Sequence, residues 1–144
     1  LEVVDLATRE FGIVFLDLPS NWTNWSLSLV ARSDLVLLVT ELSVAGLHRA
    51  KKQLQLFDSQ DLHGLDVRVV ANRFDKAQSR SIRTADVRQA LGRDLAFTIA
   101  SDAALMRGAI DRGVPIGDLK RKSALGKDID MLDAGIAAAM GLER

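Results

Sequence analysis

Short, nearly unbroken apolar runs alternate along the chain with stretches in which apolar residues return every three or four positions. The runs are Phe11 to Leu16, Leu35 to Val39, Val67 to Ala71 and Leu95 to Ile99. Each is short and lacks polar alternation, the pattern of a parallel strand covered on both faces. Between them lie helical spacings. Leu27, Val30 and Ala31 share a face within Trp25 to Arg32, and Leu47, Ala50, Leu54 and Phe57 share one within Ser43 to Asp58, where Ser43 is the N-cap. Thr84 to Leu91 reads as a helix closed by Gly92, and Ala103 to Arg112 as one capped by Asp102 and stopped by Gly113. A last helix spans about Ala124 to Met140, with Leu125, Ile129, Leu132, Ile136 and Met140 on one stripe. Four strands joined by helical connections too long for hairpins predict an α/β fold: a mainly parallel sheet with flanking helices.

Composition narrows the function classes. The 144 residues are one domain's worth of chain, and 48% hydrophobic with 26% charged residues is ordinary for a globular protein. Nineteen basic and 19 acidic side chains cancel, so nothing calls for nucleic acid or an anionic membrane as partner. There is no cysteine and there are two histidines, which argues against disulfides and a zinc site. No apolar run is long enough to cross a bilayer and no signal-peptide pattern opens the chain, so the cytoplasm is the expected compartment. The start at Leu1, without an initiator methionine, reads as part of something longer.

In a parallel α/β sheet ligands bind at the carboxyl ends of the strands. Asp17 follows the first run, Thr40-Glu41 the second, Asn72 the third and Ala100-Ser101-Asp102 the fourth. A carboxylate at Asp17 suits a hydrated magnesium ion beside a phosphate, or simply stops a strand before Leu18-Pro19. The Asn72 amide offers a donor and an acceptor that match an adenine edge, or it is a turn residue. Ser101-Asp102 either lines a site or caps a helix. His48 and His63 read as solvated helix and loop, and Trp22 and Trp25 as loop packing or an interaction surface. Arg73, Lys76, Arg80 and Arg83 are interrupted by acids and read as a solvated segment. No Gly-rich loop ending in Gly-Lys-Ser/Thr occurs, so there is no amide cradle and no lysine for phosphates, and the chain by itself is expected not to hydrolyse a nucleotide.

The ordered set Phe-Leu-Asp-Leu-Pro-Ser-Asn-Trp, Ser-Asp-Leu-Val-Leu-Leu-Val-Thr-Glu, Ala-Lys-Lys-Gln-Leu, Val-Val-Ala-Asn-Arg-Phe-Asp and Arg-Gly-Val-Pro-Ile resembles the carboxyl-terminal half of the MinD/ParA class of P-loop ATPases. Within that class it is most similar to the CpaE/TadZ pilus-assembly proteins. The resemblance runs from about Phe11 to Ala139. It implies that residues 1–144 are the carboxyl-terminal half of a P-loop ATPase-like domain whose Walker A half is absent.

By the same resemblance, Asp17 matches the Walker B acid that orders magnesium through water, and Leu18 to Asn21 match the switch that senses the γ-phosphate. Asn72 matches the asparagine that reads adenine, and Ala100, Ser101 and Asp102 match the turn lining the base pocket. That turn commonly carries proline in the family where Ala100 stands. ATP/ADP and magnesium are the implied cofactors of the intact parent, and a nucleotide-gated homodimer its implied mechanism. Pilus or secretion machinery proteins are the implied partners and a cell pole the implied destination. Two alternatives remain: a non-catalytic scaffold or dimerisation module of the same fold, and a receiver-like domain in which a strand ending Leu-Asp-Leu-Pro carries the phosphoacceptor. The second lacks the lysine that receivers carry after the last strand, here Ile99-Ala100-Ser101.

Overall fold

The computed structural model describes residues 2–75 and 82–142, which fall into two compact units, residues 1–34 and 35–144. Lys76 and Arg80, part of the expected basic segment, lie outside the described residues.

In the first unit, helix α1 (Glu2–Glu10) is followed by irregular chain and then helix α2 (Asn24–Val30). The Asp5 carboxylate accepts a hydrogen bond from the Arg32 guanidinium, which links α1 to the residues just after α2. Helix α2 starts at a reciprocal capping box. The Thr23 hydroxyl accepts the Ser26 N–H at 3.4 Å and the Ser26 hydroxyl accepts the Thr23 N–H at 2.9 Å. Its buried face is Ser26, Leu29 and Val30 rather than the expected Leu27, Val30 and Ala31, because the box turns Ser26 inward.

The strand expected over Phe11 to Leu16 is not formed. Residues 11–16 carry no strand, and Phe11 is 66% and Phe15 69% exposed. A strand requires a neighbour to take its N–H and C=O groups, and no described strand pairs with this segment.

In the second unit, strands β1 (Val36–Thr40), β2 (Val67–Phe74) and β3 (Leu95–Ala100) form a parallel sheet of order β1-β2-β3. Val36 pairs with Val67 and Thr40 with Ala71, in unbroken register. Helix α3 (Val44–Ser59) connects β1 to β2, and α4 (Thr84–Leu91) precedes β3. Helices α5 (Ala103–Arg112), α6 (Ile116–Leu119) and α7 (Ala124–Ala139) follow. The expected parallel α/β architecture is thus present, with three strands rather than four among the described residues.

Central β2 is apolar because both its faces are covered. Val70 packs with Ile99 and Leu125, joined by Leu37, Phe97, Leu105, Ile116 and Leu132. By strand alternation Val67, Val69 and Ala71 face the other way. Two successive crossovers of the same hand place α3 and α4 together on that side, and these helices do pack on each other. They bury Leu47, Ala50, Leu54 and Phe57 from α3, as the spacing predicts, and Val87 and Leu91 from α4. Each buried Val or Leu contributes about 1.5–3 kcal/mol, so β2 and its covering helices dominate the stability of this unit.

The helix ends follow their expected chemistry. Ser43 accepts the Gly46 N–H at 3.0 Å, and Gly92 and Gly113 close α4 and α5 with φ of 68° and 63°. Helix α7 keeps its expected stripe except at one position. Leu125 and Ile136 are buried and Leu132 packs on the core, but Ile129 is 39% exposed. At Gly135 the missing side chain admits the Phe97 ring of β3; a Cβ there would overlap the ring. Asp128, beside the exposed Ile129, reaches the end of β3 with its carboxylate.

Candidate functional site: the rim at the carboxyl ends of the strands

The parallel register carries three strand ends to one rim. After β1 the chain turns at Glu41, whose carbonyl accepts the Ser43 N–H at 2.8 Å, and Ser43 then starts α3. After Ala71 the β2–β3 ladder is irregular. Ala71 pairs with Thr98 and Phe74 with Ala100, so β2 advances three residues while β3 advances two. The extra residue is a bulge, a device that re-aims side chains at the ends of strands. It falls at Asn72 and Arg73, which are exposed directly after fully buried Ala71.

Arg73 has φ of 52°, a left-handed conformation that disfavours side chains other than glycine, asparagine and aspartate. Two contacts hold it. Its N–H donates to the Asn72 Oδ1 at 2.8 Å, and its Nη1 donates to the Glu41 Oε1 at 3.0 Å. The second joins the end of β2 to the end of β1. Among the described residues the bond from the Arg73 N–H is the one the Asn72 side chain makes, and because Oδ1 has two lone pairs an acceptor site and the amide hydrogens face a ligand. Its donor-acceptor pair is therefore still complete on the exposed rim.

The third strand end is pinned from three directions. The Ala100 N–H donates to the Asp128 Oδ2 of α7 at 2.8 Å, and the Ser101 N–H donates to the Phe74 carbonyl of β2 at 2.9 Å. The Asp102 Oδ1 accepts the Leu105 N–H at 3.0 Å and caps α5. Of the two readings of Asp102, capping is the one its side chain makes, and Ser101 beside it is exposed. The rim thus brings together Glu41, Asn72, Arg73, Ala100, Ser101 and Asp102.

Asp17 belongs to the first unit, where it is exposed on the irregular segment rather than at a strand end. Among the described residues no group of three or more His, Cys, Asp or Glu side chains could hold a metal ion. Magnesium commonly takes one or two carboxylates together with nucleotide phosphates. A single Asp17 fits that arrangement only in company with a nucleotide.

His48 is exposed on α3, and His63 lies 3.6 Å from both Asp58 and Asp61 on the surface. Two rim contacts are not anticipated from the sequence, the Glu41–Arg73 pair and Asp128. Asp128 did leave a signal: at three residues after Leu125 it is an acid on the buried side of α7, where a carboxylate needs a donor.

No family model matches the chain, and no curated protein matches it. Solved structures do. A ParA family ATPase from Chlorobium tepidum TLS superposes with a TM-score of 0.67 at 22% identity, over 74% of this chain and 43% of that one. The cell division ATPase MinD of Pyrococcus furiosus gives 0.65 at 22% identity, over 91% of this chain and 56% of that one. The MinD cell division protein of Aquifex aeolicus gives 0.59 at 22% identity, over 69% and 42%. The chain therefore has the fold of the MinD/ParA-type P-loop ATPases and spans about half the length of the proteins it matches. At this identity the likeness concerns the fold alone.

Proposed function

We propose that this chain is part of a nucleotide-switch ATPase of the MinD/ParA kind and carries its base-reading rim. The observation that supports the reading is Asn72. It stands exposed on a bulge at the carboxyl end of the central parallel strand, with a donor and an acceptor available, in a sheet with the fold of these ATPases. In this reading Asn72 pairs with the adenine edge, and the backbone at Ala100–Asp102 forms the wall beside it. Asp17 would hold magnesium through water, a cation that would supply charge neutralisation at the phosphates. The chain alone does not hydrolyse ATP, because no Gly-Lys-Ser/Thr loop is present in it.

A parallel sheet completed by residues beyond these 144 also accounts for two features. Among the described residues the outer edge of β1 has no strand beside it, and residues 11–16 have strand-like sequence without a ladder. The finer identity rests on the ordered sequence pieces: a CpaE/TadZ-like protein, working in the cytoplasm as a homodimer that localises or assembles a type IV-like pilus or secretion machine at a cell pole.

A scaffold module of the same fold is the second reading, favoured by the Asp102 carboxylate being engaged as a helix cap. Calorimetric titration of the full-length protein with magnesium and ATP separates them. Saturable heat is expected; a folded protein giving no heat would favour the scaffold.

A further inference from the structure

Ala100, Ser101 and Asp102 are each fixed by one hydrogen bond to a different element, and one of these bonds stands apart. The Ser101 N–H is taken by the backbone of β2, and Asp102 caps the helix it begins. The Ala100 N–H is taken by a side chain 28 residues later, the Asp128 carboxylate of α7, at 2.8 Å. Its need is plain from the topology. Strand β3 pairs only with β2 among the described residues, so the outward N–H of Ala100 has no ladder acceptor, and a half-buried amide without one is costly. A carboxylate on the sheet-facing side of α7 supplies it with a charge-assisted bond. Helix α7 is itself set close to β3 by the Gly135–Phe97 approach, so the acceptor comes from a rigid element and not from a loop.

We propose that Asp128 is a positioning residue: by holding the Ala100 N–H it fixes the turn Ala100–Asp102 against α7, and so sets how the rim meets the base of a purine nucleotide. The inference rests on the reading above that this rim binds a nucleotide base. Asp128 acts through the turn and not by touching the ligand. The turn lies beside the β2 end that presents Asn72, since Ser101 is bonded to Phe74, two residues beyond it. Loosening the Ala100 anchor therefore alters the wall of the site while leaving Asn72 in place.

The test is made on the full-length protein by calorimetric titration with magnesium-ATP and magnesium-GTP, comparing wild type with D128A, D128N and the double variant A100P/D128A. Asparagine keeps an acceptor oxygen at the same place. Proline at position 100 removes the donor and with it the need for an acceptor, at an edge position where proline is tolerated. The expected result is a preference for ATP over GTP that falls about tenfold in D128A. It stays within about twofold of wild type in D128N and remains low in the double variant, which relieves the unpaired N–H but restores no anchor to α7; a double variant that regains the wild-type preference overturns the anchoring role. A D128A protein that keeps its preference, with or without a lower melting temperature, overturns the proposal by reducing Asp128 to a structural role. Should D128A not fold, D128E keeps the acceptor but displaces it by a methylene; a reduced preference supports the proposal and an unchanged one overturns it. A folded wild-type protein that binds neither nucleotide defeats the nucleotide reading itself, a failure separate from binding that Asp128 does not influence.

Discussion

Two apolar segments of almost the same character have different fates in this molecule. Leu35 to Val39 is part of a strand with Val36 to Thr40 paired residue for residue to Val67 to Ala71, whereas Phe11 to Leu16 is irregular and largely exposed. Both are short, apolar and unalternating, so their intrinsic preferences do not separate them. Partners do. Residues 36–40 have β2 beside them and α3 packed on them, and residues 11–16 have no ladder. A parallel strand is a property of a sheet and its covering helices, and sequence character only makes a segment eligible for it.

The sharpest way to break this comparison is to place the same charge in each region. Val69→Asp puts a carboxylate at a fully buried site of β2 and is expected to cost on the order of 4–5 kcal/mol or more, unfolding residues 35–142. Phe15→Asp, at a residue 69% exposed, is expected to stay within about 0.5 kcal/mol of wild type. Thermal unfolding followed by circular dichroism measures both, and equal losses would show that residues 11–16 are packed after all.

A smaller effect tests the covering helix. Gly135→Ala drives a methyl group into the Phe97 ring and is expected to destabilise by about 1–3 kcal/mol, read from urea unfolding. Adding the reduction Phe97→Leu should recover part of that loss.

The smallest effects concern acid. The Arg83 N–H and then its guanidinium hold the Asp86 carboxyl below the usual carboxylate range at the start of α4, and the Arg32 guanidinium does the same to Asp5 in the first unit. A carboxyl whose folded value is depressed stabilises above its unfolded value, and that contribution disappears as pH falls through the folded value. Both regions should therefore loosen slightly on acidification below the ordinary carboxylate range. Carboxyl chemical shifts of Asp5 and Asp86 that titrate at the ordinary value would contradict this.

Much of the second unit was legible in the sequence because its signals are local. The α3 stripe of Leu47, Ala50, Leu54 and Phe57 is buried as its spacing requires, and Ser43, Gly92, Asp102 and Gly113 cap where their side chains or backbone freedom allow. What escaped depends on residues far apart in the chain. The close approach of α7 to β3 follows from Phe97 entering at Gly135, and the Glu41–Arg73 pair follows from the β1–β2 register and the bulge after Ala71. Helix α1 was also unanticipated: it is nine residues long and buries none of them, so no long apolar stripe announces it. For the candidate site, the strand ends near Glu41 and Ala100 were readable, since a parallel sheet sends them to one rim, whereas β2 runs through Asn72 to Phe74 instead of ending at Ala71. The contacts that hold them there were not.

The claim at the centre is that Asn72 reads a purine base from this rim, and Asn72→Ala in the full-length protein tests it most directly. Calorimetric affinities for magnesium-ATP and magnesium-GTP should show the ATP preference reduced by about 1–3 kcal/mol, the worth of a bidentate base contact, with the melting temperature of the exposed-site variant near wild type. An ATP preference unchanged in a folded Asn72→Ala protein would contradict the account.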